Sequence, residues 1–266
     1  MAEASQSDQQ SDARTDRRAR LFRANGIVLR RSDLGETDRL LTVLTLEHGR
    51  RRVVAKGARR PSSRIAGHLE PFTASRLLIA RTRGLDIISQ AETINAFSGM
   101  RVDETAIATA GYLCELVDRL VPEEQVNESV YELLYASLGL LDQRRDPRLV
   151  SHIFELGLVG QLGYRPDLQT CISCSTTVEP VVNGLSGEGG VVCGNCLRYR
   201  PDAVPISANA LKLLRAIDRG DLERLFDLRV PEPVWNEIHH AMARYIARLT
   251  GRESGAQLVL TELQLE

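Results

Sequence analysis

The chain has 266 residues, 43% of them apolar and 26% charged, which is the composition of an ordinary globular protein with length enough for two domains. No uninterrupted apolar run approaches the roughly 18 residues needed to cross a bilayer as a helix, so a membrane-spanning helix is excluded. The 34 basic and 35 acidic side chains leave a net charge of −1, which taken alone speaks against a nucleic-acid binder.

Residues 1–20 hold almost no large apolar side chains, so they are expected to form a disordered tail. They also lack the apolar centre of a secretory signal, which predicts a cytoplasmic protein whose five cysteines must be explained in a reducing compartment. From Phe22 the pattern is that of strands. Gly26 to Leu29, Leu40 to Leu46, Arg52 to Ala55, Leu69 to Arg81 and Leu85 to Ala96 are apolar or β-branched runs bounded by Gly, Pro, Asp or Glu. Five strands over residues 21–100 predict a small oligonucleotide-binding barrel.

The charge is unevenly placed. Residues 1–84 hold 18 basic and 9 acidic side chains, a balance of +9, and residues 85–266 hold 16 and 26, a balance of −10. Most of the excess lies in Gly49 to Arg64, with seven basic side chains and no acidic one. A basic run is usually a solvated face. This one brackets a strand and fills the loop behind it, where self-repulsion is relieved if the cations meet phosphates. The barrel contains only Phe22, Phe72 and Phe97 as aromatic residues. Base stacking, at roughly 1–3 kcal/mol per base, is therefore scarce, and electrostatic grip of the phosphate backbone with little sequence preference is expected.

From about Val102 the apolar period lengthens toward 3.6, and residues 101–266 read as a helical domain. Ile107, Ala110, Leu113, Cys114, Val117, Leu120 and Val121 mark one helix, ended by Pro122. Val130, Leu133, Leu134, Leu138 and Leu141 mark a second, with Asn127 or Ser129 as its cap. Leu149 to Leu162 forms a third, stopped at Gly163. Ala208 to Ile217 after Ser207, and Pro231 to Leu249, supply two more. Their apolar stripes are read as core, and Cys114 as a buried free thiol.

Cys171, Cys174, Cys193 and Cys196 form C-x2-C-x18-C-x2-C, the spacing of a four-thiolate zinc site. Strand-like Val178 to Val182 and Gly190 to Val192 around a glycine-rich turn suggest a zinc-ribbon-like element over 171–196. A redox dithiol would need one pair at a strand-to-helix junction, and two matched pairs disfavour it. Four thiolates saturate zinc, so a single structural Zn2+ per chain is expected.

Enzyme signals fail on inspection. His68-Leu69-Glu70 matches the H-x-E of zinc nucleobase deaminases, but the first cysteine pair lies about a hundred residues downstream and Pro71 follows at once. Lys56-Gly57 lacks a surrounding P-loop. His239 and His240 are adjacent on a helix and point about 100° apart. No catalytic residue is assigned.

Several segments together resemble the RecO family of bacterial recombination mediators. They are Gly26-Ile-Val-Leu-Arg-Arg, Gly35-Glu-Thr-Asp-Arg-Leu-Leu-Thr-Val-Leu-Thr, Val54-Ala-Lys-Gly-Ala-Arg-Arg60 with Ser63-Arg64, and Leu69-Glu-Pro-Phe72. The likeness continues through the helices and the four cysteines. It implies an amino-terminal oligonucleotide-binding barrel, a helical carboxy-terminal domain, and zinc in members that keep the cysteines. It further implies binding of single- and double-stranded DNA, annealing of complementary strands, and action with RecR to load RecA onto DNA coated by single-strand-binding protein, whose carboxy-terminal tail would dock on the helical domain. The basic segment and these motifs nominate Arg39, Arg50, Arg51, Arg52, Lys56, Arg59, Arg60 and Arg64 as phosphate contacts. The alternative is a zinc-stapled scaffold that binds only proteins, with the arginine loop meeting an acidic partner.

Overall fold

The computed structural model describes residues 21–220 and 222–251, so the predicted tail at 1–20 lies outside the described residues. Strands β1 (Leu21–Leu34), β2 (Asp38–Thr45), β3 (Gly49–Ala55), β4 (Ala74–Ala80) and β5 (Asp86–Asn95) close into a barrel in the order β1-β2-β3-β5-β4. β1 pairs antiparallel with both β2 and β4, and β3 pairs parallel with β5 through Val53 and Val54. This is the five-stranded oligonucleotide-binding architecture. Alternate residues point inward, so Val28, Leu41, Val43, Val53, Leu77, Ile79 and Ile88 fill the interior.

β1 can serve two neighbours because it bends at a bulge between Val28 and Arg30. The chain before β4 takes up the freed backbone groups: Phe72 N–H donates to Val28 O (2.8 Å) and Val28 N–H to Thr73 O (3.1 Å). The strand expected from Leu69 therefore begins only at Ala74. Ala66–Leu69 is a 3-10 turn whose Leu69 enters the barrel core, Pro71 supplies no N–H, and Phe72 sits at φ 68°.

By their contacts the described residues up to Ala96 form one unit together with Pro122–Tyr131, and Phe97–Val121 with the residues from Glu132 onward form a second. Within the first unit, residues 122–131 lie along the start of β3. Glu124 N–H donates to Arg50 O at 2.9 Å. Gly49 has φ +68°, and a Cβ there would stand 2.3 Å from Gln125 O, so only glycine admits the segment.

The second unit is built largely from helices, the third of which starts at Pro147, two residues before the expected Leu149. Asp103 caps α1 (Glu104–Leu120) by accepting from Ala106 N–H, and Asn127 accepts from Val130 N–H in the first turn of α2 (Glu128–Asp142). Asp146 and Pro147 open α3 (Pro147–Gln161). The single turn α4 (Gly194–Leu197) precedes α5 (Ala208–Arg219), capped by Ser207 and ended by Gly220 in the left-handed region, then α6 (Leu222–Phe226) and α7 (Glu232–Thr250). Leu113, Val117, Phe154, Leu158, Leu214, Ile238 and Met242 are buried, whereas Ile107, assigned to the core stripe, is 37% exposed. No helix among the described residues is long and apolar enough to cross a membrane.

Candidate nucleic-acid interface and metal centre

The β1–β2 turn holds the basic loop after β3 in one shape. Asp38 Oδ1 accepts from Gly57 N–H (2.8 Å) and from the Thr37 hydroxyl (2.9 Å). Those two hydrogen bonds, with Lys56 and Arg60 nearby, hold the Asp38 carboxyl below the usual carboxylate range. Arg59 completes the clasp: its N–H donates to Thr37 O (2.9 Å), its Nη1 to Gly35 O (2.8 Å), and its Nη2 lies 3.2 Å from Asp33. The Gly35-to-Asp38 and Lys56-to-Arg60 motifs are thus two halves of one hydrogen-bonded corner.

The structure divides the eight nominated cations. Arg39, Arg50 and Arg51 are half-buried and already paired: Arg39 with Glu70 at 3.2 Å, Arg50 with Glu123 at 3.5 Å, and Arg51 with Asp86 at 3.3 Å and Glu124 at 3.5 Å. Arg59 braces the corner. Arg52, Lys56, Arg60 and Arg64 are exposed, with no ion pair to a carboxylate of the described residues. These four are free to meet an external anion.

β3 and the β4–β5 loop enclose a cleft of about 520 Å3, lined by Arg51, Arg52, Arg81, Asp86, Glu123 and Glu124 among others. Sequence reading missed Arg81, which lies outside the basic run. The sequence names Phe22 but not its partners: the guanidinium groups of Arg81 (5.1 Å) and Arg51 (5.5 Å) face its ring, and His48 packs edge-on with it. Phe97 is fully buried. Phe22 is thus committed to the protein itself, and Phe97 belongs to the second unit.

The four sulfurs of Cys171, Cys174, Cys193 and Cys196 all lie within 4.8 Å of one another. A tetrahedral zinc with Zn–S bonds of about 2.3 Å sets its sulfurs roughly 3.8 Å apart, and the Cys174 and Cys193 sulfurs are separated by 3.7 Å. The donor set fits zinc. Cys171 and Cys174 sit on a tight loop whose Ile172 N–H bonds Val191 O, and Cys193 and Cys196 flank the start of α4. Burial alone would raise the Cys171 thiol, but N–H groups of Cys193, Ser173 and Cys174 outweigh it and bring it down to about 6. Cys196, facing the Cys174 and Cys193 thiols, is pushed up to about 12.

The surrounding sheet has the order β7-β6-β8, from β6 (Asn183–Ser186), β7 (Gly190–Val192) and β8 (Val204–Ile206). The strand expected at Val178 to Val182 is displaced to Asn183–Ser186, and Val181 and Val182 are exposed. Arg215 of α5 ties this element down, donating to Leu168 O (2.8 Å) and Val178 O (2.7 Å).

Comparison with known proteins gives one consistent result. Residues 20–97 match the family model "Recombination protein O N terminal" and residues 101–256 match "Recombination protein O C terminal". The chain is 37% identical over 248 residues to the DNA repair protein RecO of Roseiflexus sp. (strain RS-1), covering 93% of this chain and 87% of that one. It is 37% identical over 227 residues to the namesake from Pelotomaculum thermopropionicum, covering 85% and 88%, and 32% identical over 231 residues to that of Bacillus subtilis (strain 168), covering 87% and 90%.

Proposed function

Given that the chain belongs to the RecO family of DNA repair proteins, we propose that it binds single- and double-stranded DNA through the barrel's cations and anneals complementary strands. With RecR it would load RecA onto DNA coated by single-strand-binding protein, acting in the cytoplasm at the nucleoid, by binding and not by catalysis. The observation that carries this reading is the set Arg52, Lys56, Arg60 and Arg64, exposed beside a rigid corner and without carboxylate partners among the described residues. Cations that bind phosphates and leave base edges free suit a protein that brings strands together.

Cys171, Cys174, Cys193 and Cys196 would hold one Zn2+ as a structural staple, leaving no open position for a substrate. For the tail of single-strand-binding protein, the second unit offers a groove between α5 and the start of α7. Its floor is Leu213, Ala216 and Val234, and Lys212 and Arg229 stand on its rim. An apolar floor with two cations suits a chain end that carries a carboxylate.

The test is a salt titration of binding to a labelled single strand. Log K is expected to fall against log salt by roughly 0.7 per phosphate neutralised. The quadruple variant Arg52→Gln, Lys56→Gln, Arg60→Gln, Arg64→Gln is expected to make the slope shallower by about 3 and to lose about a hundredfold in affinity at low salt. Salt-independent binding, or an unchanged slope in the variant, contradicts the assignment. Intact DNA binding combined with lost protein contacts would favour the scaffold reading instead.

A further inference from the structure

We infer that the cleft between β3 and the β4–β5 loop is a phosphodiester-binding site in which Glu123 and Glu124 hold the places of phosphates in the free protein, so that DNA must displace them. The inference rests on the DNA-binding reading above and adds how that binding is restrained.

The cleft is walled by β3 and the β4–β5 loop, two of the elements with which an oligonucleotide-binding barrel receives its ligand. Its walls carry Arg51, Arg52 and Arg81, yet two acidic side chains from another part of the chain project onto the same surface. Glu123 reaches Arg50 Nη1 and Glu124 reaches Arg51 Nη1, each at 3.5 Å. Both carboxylates are solvent-facing, at 50% and 71% exposed. Pairs that long and that wet are weak and easily exchanged. The Arg51–Asp86 pair is different: its side chains are only 17% and 13% exposed, so Asp86 is a sheltered part of the cleft wall that positions the guanidinium.

The seat of the two glutamates is built. The backbone of Glu123 bridges that of Arg50, Glu124 N–H donates to Arg50 O at 2.9 Å, and Gly49 leaves space for Gln125 where any Cβ would collide. Glu124 itself takes φ +61°, a conformation a non-glycine residue adopts at some cost. Arg51 is not fully satisfied by this arrangement: its buried Nε–H has no acceptor among the described residues. A fixed backbone thus delivers two weakly held anions onto the arginines of a ligand-binding face. A phosphate backbone offers those arginines the same chemistry at higher charge density. The carboxylates stand ready to reclaim them, which weakens the grip and lets an annealed product leave.

The experiment measures affinity for a labelled single strand by fluorescence anisotropy at two salt concentrations. It compares the full chain, the Glu123→Gln, Glu124→Gln variant, and the same pair of changes in an Arg50→Gln, Arg51→Gln background. Both glutamates are exposed, so unchanged circular dichroism and melting are expected. The glutamine pair is expected to bind about three- to tenfold tighter, with a salt slope steeper by roughly 0.7 to 1.4. In the background lacking Arg50 and Arg51, that gain is expected to vanish. Unchanged or weaker binding by the glutamine pair overturns the inference, as does an equal gain in both backgrounds, which would reflect bulk charge alone. If no form of the protein binds DNA, the DNA-binding reading itself has failed and this inference falls with it.

Discussion

Replacing Cys174 with serine is expected to remove the metal and melt the element between Asp167 and Ile206, while the barrel unit stays folded. The short strands β6, β7 and β8 bury only a few apolar side chains, chiefly Leu185, Val191, Val192 and Ile206. Structural zinc contributes about 10–16 kcal/mol to the folding of small isolated domains, far more than three strands of three or four residues gain from burial. Cys174 is the informative ligand because its side chain is exposed, so the change to serine disturbs no packing. Its sulfur contacts Thr176 Oγ1 at 3.0 Å and Cys193 Sγ at 3.7 Å. Metal analysis of freshly purified, reduced wild-type protein should give one zinc per chain, and the Cys174→Ser variant none. Cys114→Ser, at a buried thiol of α1 outside the cluster, should keep the metal. Wild-type protein without zinc, or a Cys174→Ser variant with an unchanged melting profile, would refute the assignment.

The other large effect is expected at Glu155. This carboxylate is buried on α3, with Oε1 accepting from the Tyr112 hydroxyl of α1 at 2.6 Å and Oε2 lying 2.7 Å from His152 Nδ1. His152 is itself buried and stacks on Trp235 of α7, with ring centroids 6.0 Å apart. Burial first, and then the neighbouring carboxylate, push the Tyr112 phenol well above its ordinary range, so it stays a donor. Glu155→Ala leaves two buried donors without an acceptor and opens a cavity among three helices. The expected loss is about 3–5 kcal/mol in denaturant unfolding of the helical unit. Tyr112→Phe, which removes one donor and leaves the carboxylate its histidine, should lose about 1–2 kcal/mol. A loss below about 1 kcal/mol for Glu155→Ala would show that the cluster is not structural.

Much of this architecture is legible in the sequence, because period-2 alternation, caps and cysteine spacing are local signals. Asn127 and Ser207 cap the helices whose starts they mark in the sequence. The Cys171-to-Cys196 spacing anticipates a cluster that forms in space. What escapes the sequence is set by long-range contact. Leu69 reads as the start of a strand because it is apolar and followed by a strand, yet the bulge at Val28 requires backbone partners from residues 72 and 73 first. Ile107 fits a helical stripe but falls at its edge and is left partly in water. Basic residues in one run look equivalent, and only the fold shows that Arg50 and Arg51 are paired with Glu123 and Glu124 while Arg52 and Lys56 are not. The acidic partners lie some seventy residues away in the chain. The Glu155 cluster is hidden for the same reason: His152 and Glu155 stand one helical turn apart, but nothing local names Tyr112 as their partner.

In the proposed function, exposed cations on the barrel hold DNA by its phosphates and so bring strands together. Annealing of complementary labelled strands, with and without single-strand-binding protein at low and moderate salt, tests it most directly. Wild-type protein is expected to accelerate annealing under both conditions, with the rate falling steeply as salt rises. The variant lacking Arg52, Lys56, Arg60 and Arg64 should anneal at close to the spontaneous rate while remaining folded and retaining its zinc. Annealing by that variant at the wild-type rate, or no acceleration by the wild-type protein at low salt, would contradict the account.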